Sequence, residues 1–241
     1  MMSKSLKLFL GISYIVILFL FLFLIFSFIE IERLNDFSYY KELQVILDKT
    51  VSSNLFVNLL IFFLFCVIWV SLLGFGSPIL LISGILFGKW IGTFISVLSI
   101  STGALILYSI ANFFFKDLVE SLFQKRFSKY IHLFKKQEFN YFLAFRLAGG
   151  LGIPFGFQNI LPIIFNVNKF NYFFASFLGF IPVFFIMNTL GAGLSEYIKQ
   201  AENFSFINLM MSKEIYIPLI IFIIILFITG FIKRKIFDVK N

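Results

Sequence analysis

The stretch 146–167, RLAGGLGIPFGFQNILPIIFNV, is apolar yet interrupted by Gly149, Gly150, Gly152, Pro154, Gly156 and Pro162, with one cation at its start. An ordinary transmembrane helix does not read this way. In lipid every backbone N–H and C=O must find a partner inside the protein, so a broken helix survives only where it is buried in protein or lines a cavity. Breaks of this kind mark binding sites in transporters.

The remaining chain supplies a membrane context for this break. Its 241 residues are 60% hydrophobic, and the mean hydropathy of +0.99 lies far outside the range of soluble domains. The 39 Phe residues imply no special chemistry, because Phe and Leu are nearly interchangeable against lipid. A net charge of +8 is first a statement about topology, since cytoplasmic loops near membrane spans collect Lys and Arg; no nucleic-acid partner is expected. Cys66 is the sole cysteine and His132 the sole histidine, so no intramolecular disulfide and no Cys- or His-based metal cage can form. No nucleophile–base pair, metal-ligand spacing or phosphate-binding Gly-rich loop occurs. The expectation is a protein without cofactor, metal or enzymatic activity.

In chain order, residues 6–29 are long enough to cross a bilayer and read as an uncleaved first transmembrane helix preceded by Lys4 and Lys7. An acid-leaning loop follows over 30–54, carrying five acids against three cations, which puts the N-terminus inside and this loop outside. Residues 55–73 are apolar and end at Gly74-Phe75-Gly76-Ser77-Pro78, after which 79–87 form a second apolar piece before Lys89 and Trp90. About ten residues of helix reach roughly 15 Å, half the hydrocarbon thickness. The pair therefore reads as a re-entrant hairpin over 55–88 that returns to its starting face, followed by a full span over 92–115.

Residues 116–138 interleave apolar residues near helical spacing with Lys116, Lys125, Arg126, Lys129, Lys135 and Lys136. This pattern predicts a basic amphipathic helix on the membrane surface, preferring anionic lipid and lying inside. Residues 139–167 then repeat the hairpin design from the opposite face, and 170–194 form its span, kinked by Pro182 and loosened at its end by Gly191 and Gly193. A last transmembrane helix over 215–232 leaves the C-terminus inside, next to Lys233, Arg234 and Lys235. The predicted fold is a single all-α polytopic membrane domain. Its two re-entrant helical hairpins form an inverted-topology repeat, 55–115 and 139–194, between N- and C-terminal transmembrane helices. In transporters of this design the substrate sits near the midplane, where the broken elements meet.

Arg146 is the leading site candidate. A guanidinium inside a membrane segment costs a few kcal/mol or more unless paired or hydrated, so it must face protein or a watery cavity, where it can bind a phosphate bidentately. It could instead cap carbonyls freed by its own break. Gln158 and Asn159 are adjacent amides whose directions diverge by about 100° on a helix; one can meet a head group while the other satisfies the broken backbone. Pro78, Gly84, Gly88, Gly152, Pro154 and Gly156 are read as hairpin architecture. Glu138, roughly 12 Å of helix rise from Arg146, is expected in solvent. Arg146 and Asn159 are expected to face the glycine-lined hairpin over 78–88.

At these residues the chain resembles a known family. Pro78-Ile-Leu-Leu-Ile-Ser-Gly84-Ile-Leu-Phe-Gly88, Phe145-Arg146-Leu147, Ile153-Pro154-Phe155 and Asn159 look like the DedA/VTT-domain superfamily, also called the SNARE-associated Golgi protein family. The resemblance covers 54–193 and is nearest to the branch with Pro-Phe and Asn in its second hairpin. It implies a membrane lipid transporter: a flippase for undecaprenyl phosphate in some bacterial members, a phospholipid scramblase in eukaryotic relatives, with proton coupling proposed for part of the family. Arg146 corresponds to the second-hairpin arginine that is functionally required in better-known members of that family. The second arginine and the first-hairpin carboxylate of the DedA branch have no match, and Asn112 stands where many relatives have Arg. The implied partners are membrane lipids, among them anionic phospholipid or polyprenyl phosphate, with a homo-oligomer as a further expectation. The implied location is a bacterial inner (plasma) membrane with both termini cytoplasmic. Two other functions fit the same sequence: an ion- or proton-coupled small-solute transporter, and a non-transporting membrane scaffold.

Overall fold

A computed structural model of the chain describes residues 36–72 and 76–238, together with positions 12, 13, 16, 19, 20 and 23. The expected first span, 6–29, therefore lies largely outside the described residues, as do Gly74 and Phe75 of the first break. The chain divides into two compact units, Met1–Leu43 and Gln44–Asn241. No strand occurs among the described residues.

Residues 37–53, expected within a loop, form helix α1, Phe37–Ser53. Counting charge over that segment hid a run free of Gly and Pro. Helix α2, Leu55–Ser71, starts at Asn54, whose side-chain oxygen accepts from the Val57 N–H at 3.1 Å, the usual way of satisfying a free first-turn donor. Helix α3, Gly76–Lys136, is interrupted at Gly88, where φ is 70° and ψ 179°, a region that is essentially glycine's alone. The chain reverses there. Ser83 Oγ donates to the Gly92 carbonyl at 2.9 Å, whereas nine residues of straight helix would hold them about 13 Å apart.

Three contacts give the directions of the first broken element. Phe62 of α2 meets Phe87 edge-to-face at 5.3 Å. The Cys66 thiol hydrogen-bonds Ser99, and Ser71 Oγ donates to the Gly103 carbonyl at 3.4 Å. Helix α2 and the segment from 89 onward thus run parallel, and the short arm 76–87 runs back between their levels.

The second broken element follows the same plan. Helix α4, Glu138–Leu147, is followed by a 3₁₀ turn, Gly149–Gly152, then α5, Phe155–Ile160, a second 3₁₀ turn, Leu161–Phe165, and α6, Lys169–Gln200. Asn168 caps α6 by accepting from the Phe170 N–H at 2.8 Å. Glu138 sits beside Asn168 and Asn171, and Arg146 beside Tyr172 and Ser176, so α4 and α6 run parallel. The arm 155–165 returns between them, its Asn159 at the level of Arg146 and its Phe165 stacked on Phe134 at 4.4 Å.

The most extensive packing joins α3 to α6, antiparallel. Tyr108 stacks on Tyr172, with centroids 4.5 Å apart and planes at 15°, while Asn188 Nδ2 donates to Ser96 Oγ at 3.1 Å. Gly191 lies against the Leu81 carbonyl and Gly193 against the Glu214 carbonyl so closely that neither site can admit a Cβ without a shift. These two glycines do not loosen the helix end, as the sequence suggested; α6 continues to Gln200 and they admit neighbouring backbones. Helix α7, Phe206–Met211, and helix α8, Lys213–Asp238, complete the chain.

The 116–138 segment is not a separate helix. No Gly or Pro lies between 105 and 148, so the hydrogen-bond ladder of the span continues to Lys136. It must nevertheless bend. A straight helix would put Tyr108 and Phe134 about 39 Å apart, yet Tyr108 Oη donates to the Val167 carbonyl and Phe134 packs on Phe165.

Two helices among the described residues are long and apolar enough to cross a membrane, Gly76–Val119 and Lys169–Gln200, and the bent pair Phe37–Ser53 with Leu55–Ser71 gives up to three. The first of these includes the reversal at Gly88, so its crossing portion is the part after that turn.

Candidate functional site

Arg146 is 1% exposed, the largest of the side chains buried this deeply. Its place follows from α4 lying on Gly179 of α6, where the missing side chain lets Arg146 Cβ approach within the distance a methyl group would need. Nε donates to Ser176 Oγ at 3.1 Å, and Nη2 donates to Asn159 Oδ1 at 2.8 Å and to Tyr172 Oη at 2.9 Å. The guanidinium carbon lies 4.8, 4.9 and 5.4 Å from the ring centroids of Phe180, Phe142 and Tyr172. Among the described residues no carboxylate pairs with it.

These contacts explain how a cation persists there. Desolvated cation–π contacts contribute about 2 kcal/mol or more and hydrogen bonds to a charged group about 1.5–3 kcal/mol each, which offsets a burial cost of a few kcal/mol or more. The cage is incomplete, however. Arg146 Nη1 and Asn159 Nδ2 are buried with no hydrogen-bond partner among the described residues. A positive charge with spare N–H donors and no counter-charge is suited to accept an anionic oxygen.

The two adjacent amides divide the work. Gln158 Nε2 donates to the carbonyls of Gly149 and Ile153, at 3.2 and 2.6 Å, and so satisfies the backbone that the break exposes. Asn159, fully buried, turns toward Arg146. Arg146 itself caps no carbonyl among the described residues. Pro154 adopts φ −54° and ψ 140° immediately before α5 and so starts the return arm. Pro78 occupies the first turn of α3, where its missing N–H leaves no gap in the ladder, while Gly88 and Gly152 have positive φ. Gly156 lies within α5. Gly84 packs on the Asn188 backbone of α6 with no space for a Cβ.

The structure departs from the sequence expectation at three points of the site. Arg146 and Asn159 face α6 of their own half rather than the 78–88 arm, and one contact between the two short arms is Gly76 against the Phe155 ring. Glu138 is 8% exposed, not solvated. It accepts from Lys135 Nζ at 2.6 Å, the Asn168 N–H at 2.7 Å and Asn171 Nδ2 at 3.0 Å, and Lys135 Nζ also donates to the Asn166 carbonyl at 2.5 Å. Burial pushes the Glu138 carboxyl up, but the bonds from Lys135, Asn171 and Asn168 outweigh it and hold the group below the usual carboxylate value. Third, Tyr172, Ser176, Phe142 and Phe180, the walls of the cage, are absent from the candidates read from sequence. Their signal is spacing: Tyr172, Ser176 and Phe180 recur every four residues, one face of a helix.

An open cavity lies elsewhere, at the far end of α6, lined by Glu196, Gln200 and Glu214 among others, roughly 30 Å of helix from Ser176. Among the described residues no group of His, Cys, Asp and Glu could hold a metal ion.

No solved structure matches the chain. The family model for the VTT domain matches residues 74–193, the region that runs from the first break through α3 and most of α6 and contains the whole Arg146 cage. With its apolar spanning helices, the chain is an integral membrane protein whose family points to membrane transport, and it belongs to the DedA/VTT superfamily.

Proposed function

We propose that this protein moves the head groups of membrane lipids between leaflets, as a flippase or scramblase, through a path formed where two re-entrant hairpins meet. The observation that carries the reading is Arg146: among the described residues its buried guanidinium has a nitrogen without a partner, beside the likewise unpartnered Nδ2 of Asn159, and no carboxylate pairs with it. The phosphate of a lipid head group supplies the missing charge and oxygens, while acyl chains remain in the bilayer. Arg146 and Asn159 are the substrate-binding residues of this proposal, and Gln158 supports the backbone beside them.

The contact pattern supports an inverted repeat. A shift of 80 residues carries Phe62 to Phe142, Lys89 to Lys169, Gly92 to Tyr172, Ser96 to Ser176 and Tyr108 to Asn188. Under that shift the Tyr108–Tyr172 contact becomes the contact between Asn188 and Gly92, and the Gly76–Phe155 contact maps onto its own neighbourhood, as expected for residues near a pseudo-two-fold axis. Both broken elements also share the parallel, antiparallel, parallel order. On this reading each hairpin returns to the face it entered, the substrate passes near the midplane, and both termini face the cytoplasm of a bacterial plasma membrane.

The test is reconstitution into liposomes containing a fluorescent phospholipid, followed by chemical quenching of the outer leaflet. Lipid exchange lets quenching proceed well beyond half of the signal, and Arg146→Gln returns it to half with the protein still folded. Quenching that stops at half with folded wild-type protein refutes passive scrambling.

A further inference from the structure

We propose that Tyr172 is the positioning residue that aims the free edge of Arg146, and that Tyr108, from the other half of the fold, holds Tyr172 in place. This rests on the reading of Arg146 as the head-group ligand.

The guanidinium is a planar fork, so fixing one edge fixes the direction of the other. Ser176, Asn159 and Tyr172 together hold the edge formed by Nε and Nη2, leaving Nη1 as the nitrogen without a partner among the described residues. Tyr172 is the hub of that clamp. Its hydroxyl accepts from Nη2 and donates to the Asn159 main-chain carbonyl at 3.1 Å, tying the descending arm, the return arm and α6 through one oxygen. Its ring lies beneath the guanidinium and 5.0 Å from Phe142, so the side chain cannot turn without dislodging the cation.

Tyr172 is itself held from across the repeat boundary. Tyr108 stacks on it at 4.5 Å, and Tyr108 Oη is pinned to the Val167 carbonyl at 2.7 Å, at the turn that ends the second return arm. Both tyrosines are buried, at 1% and 0% exposure. A shift of α3 along α6 therefore changes the support under Tyr172 and, through it, the direction of the Arg146 edge that meets the head group.

The experiment compares two labelled lipids, phosphatidylglycerol and a phosphate-free diglucosyldiacylglycerol, in the same reconstituted vesicles. A loosened fold slows both equally, whereas a misaimed guanidinium reduces the preference for the lipid that carries a phosphate. Tyr172→Phe keeps the ring and removes the hydroxyl; it is expected to slow phosphatidylglycerol exchange about tenfold or more, the effect of one hydrogen bond to a charged group, with a smaller effect on the glycolipid. Tyr108→Leu removes no hydrogen-bond partner of Arg146 and, by loosening the support under Tyr172, is expected to lower the same ratio by about two- to tenfold, the range for an aromatic pair. It tests the proposal even if Tyr172→Phe fails to fold. An unchanged ratio in either folded variant overturns the proposal. If Arg146→Gln exchanges both lipids as fast as wild type, the head-group reading itself is wrong; if Arg146→Gln is impaired while the tyrosine variants keep the wild-type ratio, only the positioning role is lost.

Discussion

Substituting Gly179 by alanine tests whether the closeness of α4 to α6 sets the geometry at Arg146. A Cβ at Gly179 would fall inside 3.0 Å of Arg146 Cβ, whereas two aliphatic carbons rest at about 3.6 Å. The backbone of α4 must then withdraw by at least roughly 0.6 Å. The Nε–Ser176 hydrogen bond, 3.1 Å in the native arrangement, lengthens past the 3.5 Å at which such a contact ceases to count as a bond. Overpacking costs about 1–3 kcal/mol and the weakened bond to a charged group about 1.5–3 kcal/mol. Thermal unfolding in detergent should therefore fall by roughly 5–20 °C, and lipid exchange should slow, because sub-ångström misplacement of a binding group is not absorbed by a packed interior. Leu178→Ala is the control, since Leu178 is 44% exposed and surface changes of this kind stay within about 0.5 kcal/mol. Melting and exchange both equal to wild type in Gly179→Ala would refute the close approach on which the cage depends.

Further expectations concern the turns and the inner polar knot. Gly88→Ala should cost about 1–3 kcal/mol from backbone strain alone, because no neighbour lies within 4 Å of the added methyl group; chemical denaturation measures it. Glu138, held below its ordinary value of 4.5, contributes stability that is present above that pH and lost as pH falls through the lowered value. Glu138→Gln should flatten the acid limb of melting temperature against pH, and an unchanged limb would count against the Lys135–Glu138–Asn168 knot. Single cysteines at 89 and 169, placed in a Cys66→Ser background, should react with an impermeant reagent from opposite sides of the membrane; reaction from one shared side overturns the inverted arrangement.

Much of the layout was legible in the residues. The shortness of 79–87 predicts a separate short arm, and the chain turns at its end, at Gly88. The break at 149–154, the buried Arg146 and the division of labour between Gln158 and Asn159 also follow from local chemistry. The surroundings of Arg146 were less legible because no charged partner announces them. Neutral hydroxyls and rings do the holding, and Tyr172, Ser176 and Phe180 look in sequence like any apolar span with scattered polar residues. The burial of Glu138 is hidden in the sequence for a related reason: rise along one helix says nothing of the Asn168 and Asn171 donors that lie 30 or more residues away in the chain. Gly191 and Gly193 look like loosening residues until the carbonyls that press on them are known.

The solitary charge of the Arg146 cage has an electrical consequence. Its counterpart under the 80-residue shift is Cys66, so one half of the pair bears a fixed positive charge and the other bears none. Carrying an elementary charge through the full field of a membrane changes the energy by about 2.3 kcal/mol per 100 mV. Because the guanidinium is held in its cage, only the cargo crosses the field. Exchange of a monoanionic lipid should therefore respond to an imposed potential, and exchange of a lipid with no net charge should not.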